Sequence, residues 1–158
     1  ERTPHDDPHA RGVFFGLGEG ASRADLARAV MEGVAFTLAE ACDCLNEAGA
    51  SFGRIGLIGG GAKSALWTRM IAAALDREIV RYRGGESGPA FGAARLARLA
   101  ATGEAPEDLC KAPQIADVTA PDPALAEAFA RARERFASLY RALKPEFAKA
   151  GAPHDQRD

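Results

Sequence analysis

The sequence predicts an α/β fold, an incomplete sheet flanked by helices, and three observations carry that expectation. Short apolar runs alternate along the chain with longer stretches whose apolar residues recur every three or four positions. Glycine-rich turns, Gly59-Gly60-Gly61 and Gly84-Gly85, punctuate the changes from one pattern to the other. The short runs are too few to make a full sheet for this much helix, so the layer should be thin.

Taken in order, Arg11–Leu17 is an apolar run between glycines and is expected to be a strand. Ser22 and Asp25 have capping-box spacing, with an acid in place of the usual Glu or Gln. Leu26, Val30, Val34, Leu38, Ala41 and Leu45 then mark the expected buried stripe of a long helix that Gly49 closes. Residues 54–58 read as a second strand. A helix with Leu66, Trp67, Met70, Ile71, Ala74 and Leu75 on its apolar side follows, with Trp67, Met70 and Ile71 expected in the core. Residues 78–83 read as the third strand. Gly84–Pro89 is a turn whose proline suits the first position of a helix running to about Ala101. That helix carries a row of small residues, Ala90, Ala94, Ala97 and Ala101, suited to close approach of another element. Residues 104–121 contain three prolines and read as a loop with at most a short helical turn. The last helix should begin near Asp122-Pro123 and present Leu125, Phe129, Ala132, Phe136, Leu139 and Leu143 on one side, with Pro145 ending or kinking it. Residues 1–150 are expected to be one domain and residues 151–158 a polar, disordered tail.

Composition narrows the function. The 158 residues are 47% hydrophobic and 27% charged, ordinary for a globular protein, and the net charge is −2. That balance offers no electrostatic case for nucleic acid or an anionic membrane. No apolar run nears the roughly 20 residues of a membrane span. Cys42, Cys44 and Cys110 are odd in number and read as reduced thiols of a cytoplasmic protein. The chain opens without Met, within a loop rich in Pro, His and Asp, which leads us to expect a segment of a longer protein.

The most informative local feature is the junction from Ile58 to Leu66, where a strand meets a helix through Gly59-Gly60-Gly61-Ala62. Glycines let a ligand touch the backbone with no Cβ between, and a helix N-terminus offers unpaired N–H groups. Such a corner suits a nucleotide, with Gly60, Gly61, Ala62, Lys63 and Ser64 as candidate contacts. It is not a P-loop, which would need glycines where Leu57 and Ala62 stand, nor a dinucleotide fingerprint, which Ser64 interrupts. A tight turn with no ligand, a solvated Lys63 and a capping Ser64 are the alternatives. The second glycine turn, Gly84–Gly88, is a ligand-facing loop or simply a helix entry. His5, Asp6, Asp7 and His9 have metal-ligand chemistry but the spacing of no standard site, and read as a polar loop. No metal site, catalytic triad or paired-carboxylate motif is expected in this chain.

Four blocks together resemble a known family. Glu1-Arg2-Thr3-Pro4-His5 with Pro8 and Ala10–Leu17, Leu26–Ala35, Leu57–Ser64 with Trp67, and Gly88–Ala97 are similar, in order and spacing, to the final third of FGGY-family carbohydrate kinases, and most to its xylulose kinase branch. The resemblance implies the second lobe of an actin-like, ribonuclease-H-like ATPase fold. It implies transfer of the ATP γ-phosphoryl group to a sugar, with Mg²⁺, and D-xylulose as the sugar. It places the catalytic Asp, the sugar contacts and the phosphate loops outside this chain, and leaves here a wall for adenosine at Gly60, Gly61 and Ala62 with Ser64. Some members carry an Asn where Ala65 stands here. Ribulose, gluconate, fuculose or glycerol as substrate, or a non-catalytic actin-like nucleotide-binding module, are the other readings. Oligomeric state is not legible.

Overall fold

The computed structural model describes residues 3–151, so the polar tail lies outside the described residues apart from Gly151. The chain divides into two compact units, one formed by residues up to 51 together with those from 124 onward, the other by residues 52–123.

The first unit is built on two long helices. Helix α1 (Arg23–Glu47) starts as its sequence implies: the Ser22 hydroxyl accepts from the Asp25 N–H at 3.3 Å, and the Asp25 carboxylate accepts from the Ser22 N–H at 2.9 Å. Helix α5 (Pro123–Gly151) runs on past Pro145, which sits inside it instead of ending it. The contact between them is aromatic. Phe36 meets Phe129 edge-to-face at 5.2 Å and Phe136 at 5.8 Å, and Gly33 lies beside the Phe136 ring. The α5 face is the expected one, but the α1 face is not. Ala35, Phe36 and Ala39 are buried, whereas Val30, Val34, Leu38 and Leu45 are exposed. α1 carries two apolar sides, and the aromatic partners on α5 select the one with Phe36.

Arg11–Leu17 forms no strand, contrary to expectation, and the chain bends at Gly16. Strand propensity is realised only with a ladder partner, and no described segment supplies one, so Val13, Phe14, Phe15 and Leu17 are exposed. The preceding loop is anchored on α5: buried Asp7 accepts from the Tyr140 hydroxyl at 2.9 Å, and His5 stacks on the Tyr140 ring at 3.9 Å. The His9 N–H, followed by the Tyr140 hydroxyl, holds the Asp7 carboxyl below the usual carboxylate range against the opposing effect of burial.

The second unit is a three-stranded sheet in the order β1 (Ile55–Leu57), β2 (Ile79–Tyr82), β3 (Ile115–Thr119). β1 and β2 are parallel, joined through helix α2 (Ala65–Leu75), while β3 returns antiparallel to β2. β3 corrects the expectation of a loop across residues 104–121, of which helix α4 (Pro106–Leu109) is the short turn foreseen. Central β2 buries Ile79 and Val80, on its opposite faces. Ile71, Ala72 and Ile79 form the core, with Ile55, Leu57, Trp67 and Leu75 against it. Helix α3 (Gly88–Thr102) has Pro89 in its first turn and ends at Gly103 in the left-handed conformation. None of its residues is buried, and the small-residue row of Ala90, Ala94, Ala97 and Ala101 is exposed. No helix is long and apolar enough to cross a membrane among the described residues.

Candidate functional site

The corner after β1 is made by backbone. Gly59 has φ 86° and ψ −177°, a region open in practice only to glycine. The chain then tightens into a 3₁₀ turn, Gly60–Lys63, before α2 begins. The Ala62 N–H donates to the Gly59 carbonyl and the Ser64 N–H to the Gly61 carbonyl, each at 3.1 Å. The second glycine turn lies against the first: the Gly59 N–H donates to the Gly85 carbonyl at 2.9 Å, and a Cβ on Gly88 would stand 3.4 Å from the Gly59 Cα. The two loops that sequence reading treated separately thus form one surface.

The five candidate residues divide by environment. Gly60 faces open space, with nothing within 4 Å of where a Cβ would be. Gly61 is pressed against the Trp67 ring, whose Cδ1 would be 3.1 Å from an added Cβ, so its missing side chain is accounted for within the protein. Ala62 is buried and Lys63 exposed. Ser64 caps α2, accepting from the Trp67 N–H at 3.2 Å. Trp67 is half-buried, and Met70 and Ile71 are in the core as expected.

Beside the turn lies a cleft of about 300 Å³, lined by Ala62, Lys63, Tyr82, Arg83 and Glu86, with Arg81 and Asp117 closing one side. Arg81 is the residue that sequence reading missed. Its Nε and Nη2 donate to the two carboxylate oxygens of Asp117 at 2.8 and 2.6 Å, and its Nη1 donates to the Ala62 carbonyl at 2.9 Å. The guanidinium, chiefly by hydrogen bonding, holds the Asp117 carboxyl below its ordinary range, and Asp117 in turn raises Arg81. No signal along the chain announces this, because the partners are 36 residues apart and meet only through the β2–β3 register.

His5, Asp6, Asp7 and His9 do not assemble a site. Among the described residues no three of His, Cys, Asp and Glu gather to hold a metal ion. His5 lies 3.5 Å from Glu40 and Asp7 is engaged by Tyr140. A separate, mainly apolar cavity of about 310 Å³ opens within the first unit, between Val13, Phe15, Phe136, Leu139, Leu143 and Phe147.

Comparison with known proteins shows likeness in sequence and fold. The profile of the FGGY family of carbohydrate kinases, C-terminal domain, matches residues 1–101. The xylulose kinase of Escherichia coli (strain K12) is 42% identical over 147 residues, 92% of this chain and 30% of that protein. A glycerol kinase of Bordetella parapertussis is 42% identical over 99 residues, 62% of this chain and 19% of that protein. Among solved structures, a xylulose kinase from Brucella ovis superposes with a TM-score of 0.78 at 41% identity, covering 90% of this chain and 29% of that one. The chain therefore spans about 30% of the length of the xylulose kinases it matches.

Proposed function

We propose, because this chain belongs to the FGGY family of carbohydrate kinases, that it forms the nucleotide side of an enzyme transferring the γ-phosphoryl group of ATP to D-xylulose, giving D-xylulose 5-phosphate. The observation that carries the nucleotide role is the open backbone corner at Gly59 and Gly60, on a turn whose neighbours Gly61 and Ala62 are fixed from behind. A flat purine packs on such a surface without meeting a side chain. Gly60, Gly61 and Ala62 form the wall, and Lys63 and Ser64 stand at its edge. Xylulose as the acceptor is supported by likeness to xylulose kinases over 92% of the chain. The shorter match to a glycerol kinase supports the alternative acceptor.

The chemistry divides accordingly. Phosphoryl transfer depends on positioning and on neutralising charge around the transferred group. This chain supplies positioning of the nucleotide. In this reading the Mg²⁺ ion, the sugar and the base that takes the hydroxyl proton belong to the remainder of the protein. On the same reading the enzyme works in the cytoplasm.

A coupled assay of ATP turnover tests the proposal. The full-length protein is expected to favour xylulose over ribulose, gluconate, fuculose and glycerol, and residues 1–158 alone to show no sugar-dependent turnover. Preference for another sugar overturns the acceptor; turnover by the isolated chain overturns the division of labour.

A further inference from the structure

We infer that Arg81, clamped by Asp117, is a positioning residue for the nucleotide turn: it fixes the Ala62 carbonyl, and through it the Gly60–Lys63 backbone, to the sheet. The inference rests on the nucleotide reading of that turn. A guanidinium is a planar fork. Here two of its nitrogens are taken by the two oxygens of Asp117, at 2.8 and 2.6 Å, which fixes the plane. The third then points at the Ala62 carbonyl at 2.9 Å with little freedom to wander. Arg81 stands on β2 directly opposite Asp117 on β3. The antiparallel third strand therefore reaches the turn through the Asp117 and Arg81 side chains.

Magnitude argues for geometry over stability. The Arg81 and Asp117 side chains are 26% and 41% exposed, and partly solvated ion pairs contribute little to folding. The turn's other hydrogen bonds are backbone bonds, among them Gly59 N–H to the Gly85 carbonyl and two bonds internal to the turn, and the Trp67 ring packs on Gly61. Arg81 is the described side chain that bonds the turn from the sheet. A turn that drifts by a fraction of an ångström presents its glycines poorly to a rigid base. Such a loss weakens ground state and transition state alike, so it should appear in KM for ATP and not in kcat.

The test is steady-state kinetics of the full-length protein with ATP and sugar varied separately. Arg81→Met, which keeps the stem and removes the donors, is expected to raise KM for ATP about tenfold with kcat and KM for the sugar within about twofold of the parent. Arg81→Lys, which keeps the charge and N–H donors but loses the planar fork, should recover part of the loss, and Asp117→Asn, which loosens the clamp, should fall between parent and Arg81→Met. Gly60→Leu serves as the reference, since it fills the open face directly and should also raise KM for ATP. If Gly60→Leu raises KM for ATP and the Arg81 and Asp117 variants do not, the positioning role is wrong and the nucleotide reading stands. If none of them changes it, both fail. A fall in kcat alone, with KM for ATP unmoved, would reduce the clamp to a stabilising contact and overturn the inference. Should Arg81→Met not fold, Arg81→Lys and Asp117→Asn decide the matter by the same criteria.

Discussion

Phe36→Ala is expected to destabilise the first unit by about 3–5 kcal/mol, the range for truncating a buried aromatic. Phe36 is 4% exposed and is the point where α1 meets two rings of α5, Phe129 at a right angle and Phe136 at 65°. Truncation removes both edge-to-face contacts and leaves a hole between two long helices that cannot close around it easily. Against a total stability of about 5–15 kcal/mol for an ordinary domain, this is a large fraction. Hydrogen exchange of the α1 and α5 amides is the suitable readout, because it reports the unit itself. Val34→Ala is the internal control: Val34 is exposed on the other apolar side of α1, and its truncation should cost no more than about 0.5 kcal/mol. Equal effects of the two substitutions would show that the buried face has been assigned wrongly.

Ile79→Ala is expected to cost the second unit about 2–5 kcal/mol. Ile79 is fully buried at the start of the central strand and sits in the cluster with Ile71 and Ala72, against which Ile55, Leu57, Trp67 and Leu75 pack. It is tied to both neighbours, opposite Ile55 on β1 and Thr119 on β3. A cavity there weakens the strand that carries Arg81. Trp67, the single tryptophan of the chain, lies in this unit, so its fluorescence follows urea unfolding directly. Ile79→Val should cost only about 0.5–1.5 kcal/mol. A shift below about 0.5 kcal/mol for the alanine variant would contradict the assigned core.

Much of this architecture is legible in local sequence. Ser22 with Asp25 announces α1, the glycine corner and Ser64 announce α2, and Pro89 announces α3, because capping and φ restriction act within one turn of chain. What is not legible depends on partners distant in sequence. Residues 115–119 form a strand because β2 offers an edge and Asp117 meets Arg81, yet Ile-Ala-Asp-Val-Thr is mostly exposed and has no strong apolar run. Residues 11–17 show the converse, an apolar run with strand propensity and no ladder among the described residues. On α1 the longer apolar stripe through Val30, Val34 and Leu38 outweighs, in sequence, the one through Phe36 that packing uses. The candidate site follows the same division. Its glycines could be picked out because glycine at a strand–helix corner is a local signal. The Arg81 clamp could not, since nothing near position 81 points to Asp117 or to the Ala62 carbonyl.

The central claim is that a nucleotide rests on the Gly59–Ser64 backbone, and amide hydrogen exchange of the full-length protein with and without a non-hydrolysable ATP analogue tests it most directly. Saturating analogue is expected to slow exchange across Gly59–Ser64 by about tenfold or more, because a bound base shields the turn and suppresses its local opening. Exchange through that turn unchanged at a nucleotide concentration that saturates the enzyme would contradict the account.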